Sequence, residues 1–120
     1  MDSKRGDNVG MTTDEAISEV TRRLVDFYQP DRVYLIGSAA RGEARPESDL
    51  DFVVVLPDET PRQKLLGVGL SQALWAVPFA VEVIPFRRST FEARSSWVMS
   101  LPAIALREGR LLYDAALLPR

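Results

Sequence analysis

Two aspartates stand two residues apart at the start of an apolar run, and their type and spacing indicate metal-assisted chemistry. Asp49 and Asp51 lead into the run Phe52–Leu56, and alternate residues of a strand project from the same face. Two like charges side by side are costly unless a cation binds them, and Mg²⁺ prefers a few carboxylates together with substrate phosphates. We therefore predict that both carboxylates bind metal, with two ions clamping the attacking and leaving oxygens of an in-line displacement.

Glu82 is the candidate for a third carboxylate. It stands alone in the apolar run from Phe79 to Ile84, and a charge buried in such a strand is costly unless a cation or a metal meets it. We predict that Glu82 lies on a neighbouring strand, where it binds metal or takes the proton of an acceptor hydroxyl. The alternative is a solvent-facing position on an edge strand.

Small residues upstream of the aspartates indicate a phosphate site. Gly37 lets the chain turn sharply after a strand, and Ser38 can cap the following helix and place its hydroxyl beside a phosphate. The free N–H groups of a helix N-terminus suit an anion, and Arg41 adds a charged donor if its side chain turns back; otherwise it only covers the surface. Ser48 either contacts ligand or only caps the turn that orients Asp49.

Composition narrows the chemistry further. The 120 residues include neither His nor Cys, which removes the commonest general base, the commonest zinc ligand and every nucleophile activated by a His. Fifteen basic and seventeen acidic residues give a formal charge of −2, so no excess of positive charge favours direct nucleic-acid binding. No apolar run approaches the roughly 18 residues of a membrane span. We expect a soluble, cytoplasmic protein.

Periodicity and capping signals predict the elements that must position these residues. Thr12 and Glu15 form a predicted capping box at the start of a helix, and Ser89 with Glu92 forms another. Together these patterns predict a mixed sheet with helices packed on it, an α/β (α+β) fold, in one domain over 12–120 after a flexible tail at 1–11. The predicted helices span 13–28, 61–75 and much of 89–108, and the predicted strands span 33–36, 49–56, 79–85 and 111–113.

Three aromatic residues have no assigned chemistry. We predict that Trp75, Phe91 and Trp97 lie in the core or face a partner rather than stack on a base. The apolar stretch from Trp97 to Leu106 either packs internally or forms an exposed interface.

The segment 37–51 resembles the signature of the polymerase-beta-like nucleotidyltransferase superfamily, which is Gly-Ser, a spacer and Asp-x-Asp, with a third carboxylate on a later strand. The resemblance covers about residues 13–113. It implies the fold of that superfamily, ATP as the substrate and two Mg²⁺ ions as the cofactor. Where the family commonly has Asp as the third carboxylate, this chain has the longer Glu82. The matching residues are Gly37, Ser38, Asp49 and Asp51, with the family's ten residues between Ser38 and Asp49, and Arg41, Gly42 and Ser48 of the extended form seen in small prokaryotic members.

Within that superfamily the chain is similar to the minimal nucleotidyltransferases, which are stand-alone domains. This resemblance implies an antitoxin that transfers AMP from ATP to a hydroxyl of a HEPN-type toxin and silences its ribonuclease activity, within a homo- or hetero-oligomer. The absence of His agrees with the transferase role, because the toxin's motif needs a His. Two alternatives stay open: nucleotidyl transfer to a small hydroxylated molecule, and a binding-only antitoxin that neutralises its partner by complex formation.

Overall fold

The computed structural model describes residues 11–45 and 47–118. Within these ranges four strands form one mixed sheet with helices on both faces, as the sequence predicted. The predicted tail at 1–11 lies outside the described residues except for Met11. The helices are α1 (Thr13–Tyr28), α2 (Gly37–Ala40), α3 (Arg62–Leu65), α4 (Leu70–Ala73), α5 (Arg88–Arg94) and α6 (Leu101–Glu108), and the strands are β1 (Arg32–Ile36), β2 (Leu50–Leu56), β3 (Val81–Arg87) and β4 (Arg110–Asp114).

The sheet has the strand order β3-β2-β1-β4. β1 runs antiparallel to both β2 and β4, whereas β2 and β3 are parallel. A parallel pair needs a crossover connection, and residues 57–80 with α3 and α4 provide it. The apolar run Phe52–Leu56 of β2 is buried throughout, as predicted for a strand covered on both faces.

Each face of the sheet carries its own apolar core, because successive strand residues point to opposite sides. On one face the helical stripe of α1 packs against alternate residues of β1 and β2. On the other face, which we call the α5–α6 face, α5 and α6 cover the remaining alternate residues. Asp51 belongs to this second face, because it lies two residues before Val53. The buried residues of the α5–α6 face are Tyr34, Ile36, Val53, Val55, Phe91 and Ala105.

The first helix forms where its capping signal predicted. The Glu15 N–H donates to Thr12 Oγ1 at 3.1 Å, and the Thr12 N–H donates to Glu15 Oε1 at 2.8 Å, so the predicted capping box is confirmed. At the other end, the Lys64 ammonium group donates to the Phe27 carbonyl. It supplies the cation that favours a helix C-terminus and that the last turn of α1 itself lacks.

The helix predicted over 61–75 is wrong. The structure has two single turns there, α3 and α4, separated by Gly67 and Gly69 with φ of +79° and +91°. A side chain rarely adopts this backbone conformation, and the α-helical ladder stops where the chain takes it. The Arg23 guanidinium holds this segment against α1 by donating to the Trp75 carbonyl at 2.6 Å.

The predicted cap of α5 is also wrong, and β3 begins two residues later than predicted. The Ser89 N–H donates to Asp58 Oδ1 at 2.9 Å, so a carboxylate distant in sequence replaces a local cap, and α5 has no side-chain cap of its own. The predicted helical region ends in α6, where the Ala103 N–H donates to Ser100 Oγ at 3.2 Å and Pro102 stands in the first turn.

Both edge strands carry features that hinder pairing with a further strand. The Leu50 N–H donates to the Ala80 carbonyl, so the even-numbered residues of β3 direct their backbone groups towards β2. The backbone of the odd-numbered Pro85 therefore faces the open edge of β3. Proline has no N–H to offer there. On β4, a bulge at Leu112 interrupts the pairing with β1, and bulges twist edges away from partners. No helix in the described ranges is long and apolar enough to cross a membrane.

Candidate active site

Asp51 and Glu82 lie directly opposite each other on the parallel strands β2 and β3. Neighbouring strands are about 4.8 Å apart, so the two carboxyl groups lie close together, and the charge of Glu82 acts on Asp51. Asp51 is half-buried, but Glu82 is exposed on an edge strand. The expectation that Glu82 is a buried charge was therefore wrong, although the structure does place it on a strand beside Asp51.

The surroundings of Asp51 favour its neutral form. Burial raises the pKa of this carboxyl group first, and the negative charges of Glu82 and Asp49 raise it further. Negative charges that crowd one another in this way are stabilised by a divalent cation. The electrostatics of the pair therefore suit metal binding.

Asp49 completes the acidic group from just before β2, where its side chain is exposed. It is close enough to influence Asp51 through its charge, but in the described ranges no three acidic side chains converge as a ready-made metal cage. Mg²⁺ typically takes one or two protein carboxylates and fills its other positions with phosphate oxygens and water. The carboxyl pair with Asp49 at its margin fits that requirement by the chemistry of its donors.

The Gly37–Ser38 turn lies beside this carboxyl pair. β1 ends at Ile36, opposite Asp51, and Gly37 then takes a φ of +77°. A β-carbon on Gly37 would lie 3.0 Å from Asp51 Oδ2. The structure therefore brings the predicted phosphate turn and the predicted metal carboxylate into contact.

The role of Ser38 as a helix cap was predicted wrongly. Ile36 occupies the N-cap position of α2 without a side-chain hydrogen bond, and Ser38 lies inside the helical turn. α2 spans only Gly37–Ala40, so its dipole is small and an anion here would depend on individual N–H groups. The Ser38 hydroxyl is therefore not used as the cap of α2.

The loop between α2 and β2 holds the other two predicted ligand residues. The Arg41 side chain does not turn back towards Asp51; its Nε donates to Glu43 Oε1 at 3.0 Å, and both residues are exposed. This pairing was missed, although opposite charges two residues apart in a loop are a signal for it. The Arg45 N–H donates to Ser48 Oγ at 2.9 Å, and the Ser48 N–H donates to the Arg45 carbonyl at 2.9 Å. Ser48 thus closes the turn before Asp49, as its structural alternative predicted.

Concavity alone would point elsewhere. A surface cavity of about 780 Å³ runs along α1 and is lined by Met11 and five residues of that helix. Its lining includes none of Asp49, Asp51 and Glu82. We place the candidate site at the carboxyl pair, because catalysis requires suitable chemical groups and the shape of a groove does not supply them.

Comparisons with known proteins identify the family of the chain and a similar fold. The family model described as a nucleotidyltransferase domain matches residues 17–104. A crystal structure of a toxin-antitoxin with AMP-PNP is similar in fold, with a TM-score of 0.52 and 16% identity over 81% of this chain and 72% of that chain. A protein from Sulfolobus solfataricus, provisionally assigned as a nucleotidyltransferase, has a TM-score of 0.48 and 18% identity over 92% of this chain and 96% of that chain. No curated protein matches the sequence.

Proposed function

Because this chain belongs to the nucleotidyltransferase domain family, we propose that it transfers AMP from ATP to a hydroxyl group of a partner protein. The partner we propose is a HEPN-type toxin, whose ribonuclease activity the modification silences, so that the chain acts as a cytoplasmic antitoxin and protein adenylyltransferase. The carboxyl pair of Asp51 and Glu82, in contact with the Gly37–Ser38 turn, is the observation that carries the proposal. The fold similarity to a toxin-antitoxin with AMP-PNP supports both the nucleotide and the protein partner.

The proposed reaction is a single in-line displacement. The acceptor oxygen forms a bond to the α-phosphorus of ATP, the bond from that phosphorus to the oxygen bridging to the β-phosphate breaks, and pyrophosphate leaves with its electron pair. Glu82 is exposed beside Asp51, so it is suited to accept the proton of the incoming hydroxyl. Bound Mg²⁺, proposed as two ions held by Asp49, Asp51 and Glu82, would offset the charge of the phosphates.

The Gly37–Ser38 turn is the proposed site of the β- and γ-phosphates. Its backbone N–H groups and the Ser38 hydroxyl are donors next to Asp51, and such donors orient phosphate oxygens without carrying net charge. Arg41 would join them by exchanging Glu43 for a phosphate, which is a small change because an exposed ion pair contributes little. Ser48 contributes by keeping the turn before Asp49 closed.

Intact-mass spectrometry tests this proposal. The chain, ATP and Mg²⁺ are incubated with the proposed HEPN-type partner, and we expect the partner to gain one or more AMP units. Asp51→Asn should abolish the gain, because it removes a charge from the carboxyl pair. Asp26→Asn is the matched control: Asp26 is exposed on α1 and, within the described residues, takes part in a surface ion pair with Arg22.

Each alternative has its own outcome. Suppressed toxicity and tight binding without a mass change would support the binding-only antitoxin and overturn the transfer. Labelled AMP that appears on a hydroxylated antibiotic, but not on the protein, would support the small-molecule reaction. ATP labelled at the α-phosphate, compared with ATP labelled at the γ-phosphate, separates nucleotidyl transfer from phosphoryl transfer in the same assay.

A further inference from the structure

Three consecutive apolar side chains are exposed in the loop between α5 and α6. Trp97, Val98 and Met99, which we call the 97–99 patch, have 60%, 69% and 81% of their surface accessible. Single exposed apolar residues are ordinary, but a contiguous group that includes a Trp marks an interaction surface. The sequence left open whether this stretch packs internally, and the structure shows that these three residues do not.

The backbone beneath the patch is held in place by four hydrogen bonds. The Trp97 N–H and the Ser100 hydroxyl both donate to the Arg94 carbonyl, at 2.9 and 2.6 Å, and the Ser100 N–H donates to the Trp97 carbonyl at 2.9 Å. The Arg107 guanidinium donates to the Val98 carbonyl at 3.2 Å. Because the loop is already fixed while its side chains point outwards, binding a partner would cost little conformational entropy of the loop.

The patch is linked to the end of the sheet that carries the carboxyl pair. Arg107, which contacts Val98, stands near the C-terminus of α6. Gly109 is the C-cap of α6, and a β-carbon added to it would lie 3.1 Å from the Leu35 carbonyl oxygen. Leu35 pairs with Phe52, next to Asp51. The patch and Asp51 therefore share the α5–α6 face of the sheet.

We propose that the 97–99 patch is the docking surface for the acceptor protein, an inference that rests on the proposed function. An acceptor protein has to hold one hydroxyl steady beside the carboxyl pair, and a fixed apolar surface on the same face is suited to anchor it. Trp, Met and Arg are enriched at such interfaces, and Trp and Arg supply most of their hot spots. Pairing of strands is a less suitable docking mode, because Pro85 and the β4 bulge hinder it at both edges.

Charge defines the chemistry of the partner surface. The Arg94 guanidinium carbon lies 5.8 Å from the centre of the Trp97 ring, and Arg107 contacts the loop from the other side. Arg107 is already paired with Glu108 at 3.2 Å, so Arg94 is the guanidinium group at the border of the patch that best complements a carboxylate at the border of another surface. The partner surface therefore presents apolar side chains at its centre and Asp or Glu at its margin.

The experiment compares two double variants of the full chain. Trp97→Ser/Met99→Ser removes the patch, whereas Leu66→Ser/Trp75→Ser removes two equally exposed side chains, at 66% and 77%, from the crossover segment that packs beside α1. We expect the first variant to bind the partner at least about 30-fold more weakly, which corresponds to the loss of a hot spot. ATP affinity in the presence of Mg²⁺ should be unchanged in both variants, and partner affinity unchanged in the second.

Titration calorimetry with the partner and with ATP gives both affinities, and sedimentation of the chain alone reports self-association. Equal loss of partner binding in both variants, or none in the first, would overturn the docking surface. So would a dimer of the chain alone that only Trp97→Ser/Met99→Ser dissociates, with partner binding intact. If the wild-type chain binds through the patch but transfers no AMP, the proposed function fails while the docking surface stands.

Discussion

Gly37 and Asp51 approach each other so closely that any side chain at residue 37 would contact the carboxylate. A β-carbon there would lie 3.0 Å from Asp51 Oδ2, and Gly37 also has a φ of +77°. Two constraints thus act on residue 37: a backbone conformation that disfavours side chains, and a close contact with the Asp51 carboxylate. Gly42 has the first constraint without the second: its φ is +73°, but no described atom would lie within 4 Å of an added β-carbon.

We predict that Gly37→Ala and Gly42→Ala destabilise the fold alike but differ in activity. Each places an Ala in the left-handed region, at a cost of about 1–2 kcal/mol. Only Gly37→Ala displaces Asp51, so only this variant should lose nucleotidyl transfer. Urea unfolding measures the first effect and the rate of AMP transfer the second. Equal activity of the two variants would show that the contact with Asp51 does not matter.

Glu82→Gln tests the carboxylate on the edge strand. Because the amide cannot accept a proton from the acceptor hydroxyl, we expect transfer to fall on the order of 100-fold or more. Glu59→Gln, in the exposed turn after β2, is the control and should keep the wild-type rate. Single-turnover kinetics at saturating ATP separates this loss from weaker nucleotide binding. A wild-type rate in Glu82→Gln would remove Glu82 from the mechanism.

Tyr28→Phe should leave the fold at least as stable as the wild type. Only 4% of Tyr28 is exposed, and its hydroxyl has no hydrogen-bond partner within the described part of the chain. Removing a buried polar group that lacks a partner is neutral or stabilising, by up to about 1–2 kcal/mol. Urea unfolding at neutral pH measures the change. A clear loss of stability would mean that a bound water satisfies the hydroxyl.

The same residue predicts how stability depends on pH in alkali. Burial raises the pKa of Tyr28 in the folded state, so above about pH 10 the unfolded chain loses this proton first and unfolding is favoured. The contribution of this raised pKa to the free energy of unfolding is complete below the pKa of the unfolded state, and it is lost as pH rises through the pKa of the folded state. Tyr28→Phe should therefore lose less stability than the wild type between neutral and alkaline pH.

Asp58→Asn probes the tertiary cap of α5 in acid. The hydrogen bond from the Ser89 N–H lowers the pKa of Asp58, and Arg88 and Arg87 lower it further. A lowered folded pKa gives stability that is present above the unfolded value and is lost as pH falls through the folded value. The Asn amide oxygen keeps the hydrogen bond without the charge. Urea midpoints of wild type and variant should therefore differ at neutral pH and converge at about pH 2; a constant difference would rule out the charge as the cause.

The sequence predicted those parts of the fold that local interactions determine. The Thr12 and Glu15 capping box and the apolar run of β2 need only neighbouring residues, and both are confirmed. The cap of α5 comes instead from Asp58, 31 positions before Ser89, and no local pattern announces such a partner. The single helix predicted over 61–75 was wrong because the capping signals at its N-terminus were given more weight than Gly67 and Gly69, where the helix breaks.

The candidate site was predictable in its residues but not in its geometry. Spacing identified Asp51, and a lone charge in an apolar run identified Glu82, although that run proved to be an exposed edge. Their pairing depends on the parallel register of β2 and β3 across a crossover, which spacing along the chain does not encode. For Arg41 the sequence indicated either a phosphate contact or a surface position, and neither alternative identified its ion pair with Glu43.

The two hindered edges of the sheet affect how the protein behaves at high concentration. With Pro85 turned outwards on β3 and a bulge in β4, neighbouring copies cannot readily extend the sheet into a continuous ribbon. The proposed antitoxin could therefore accumulate in molar excess over its proposed partner without aggregating through its sheet edges. Such an excess is the condition under which a protein that restrains another one keeps every copy of it occupied.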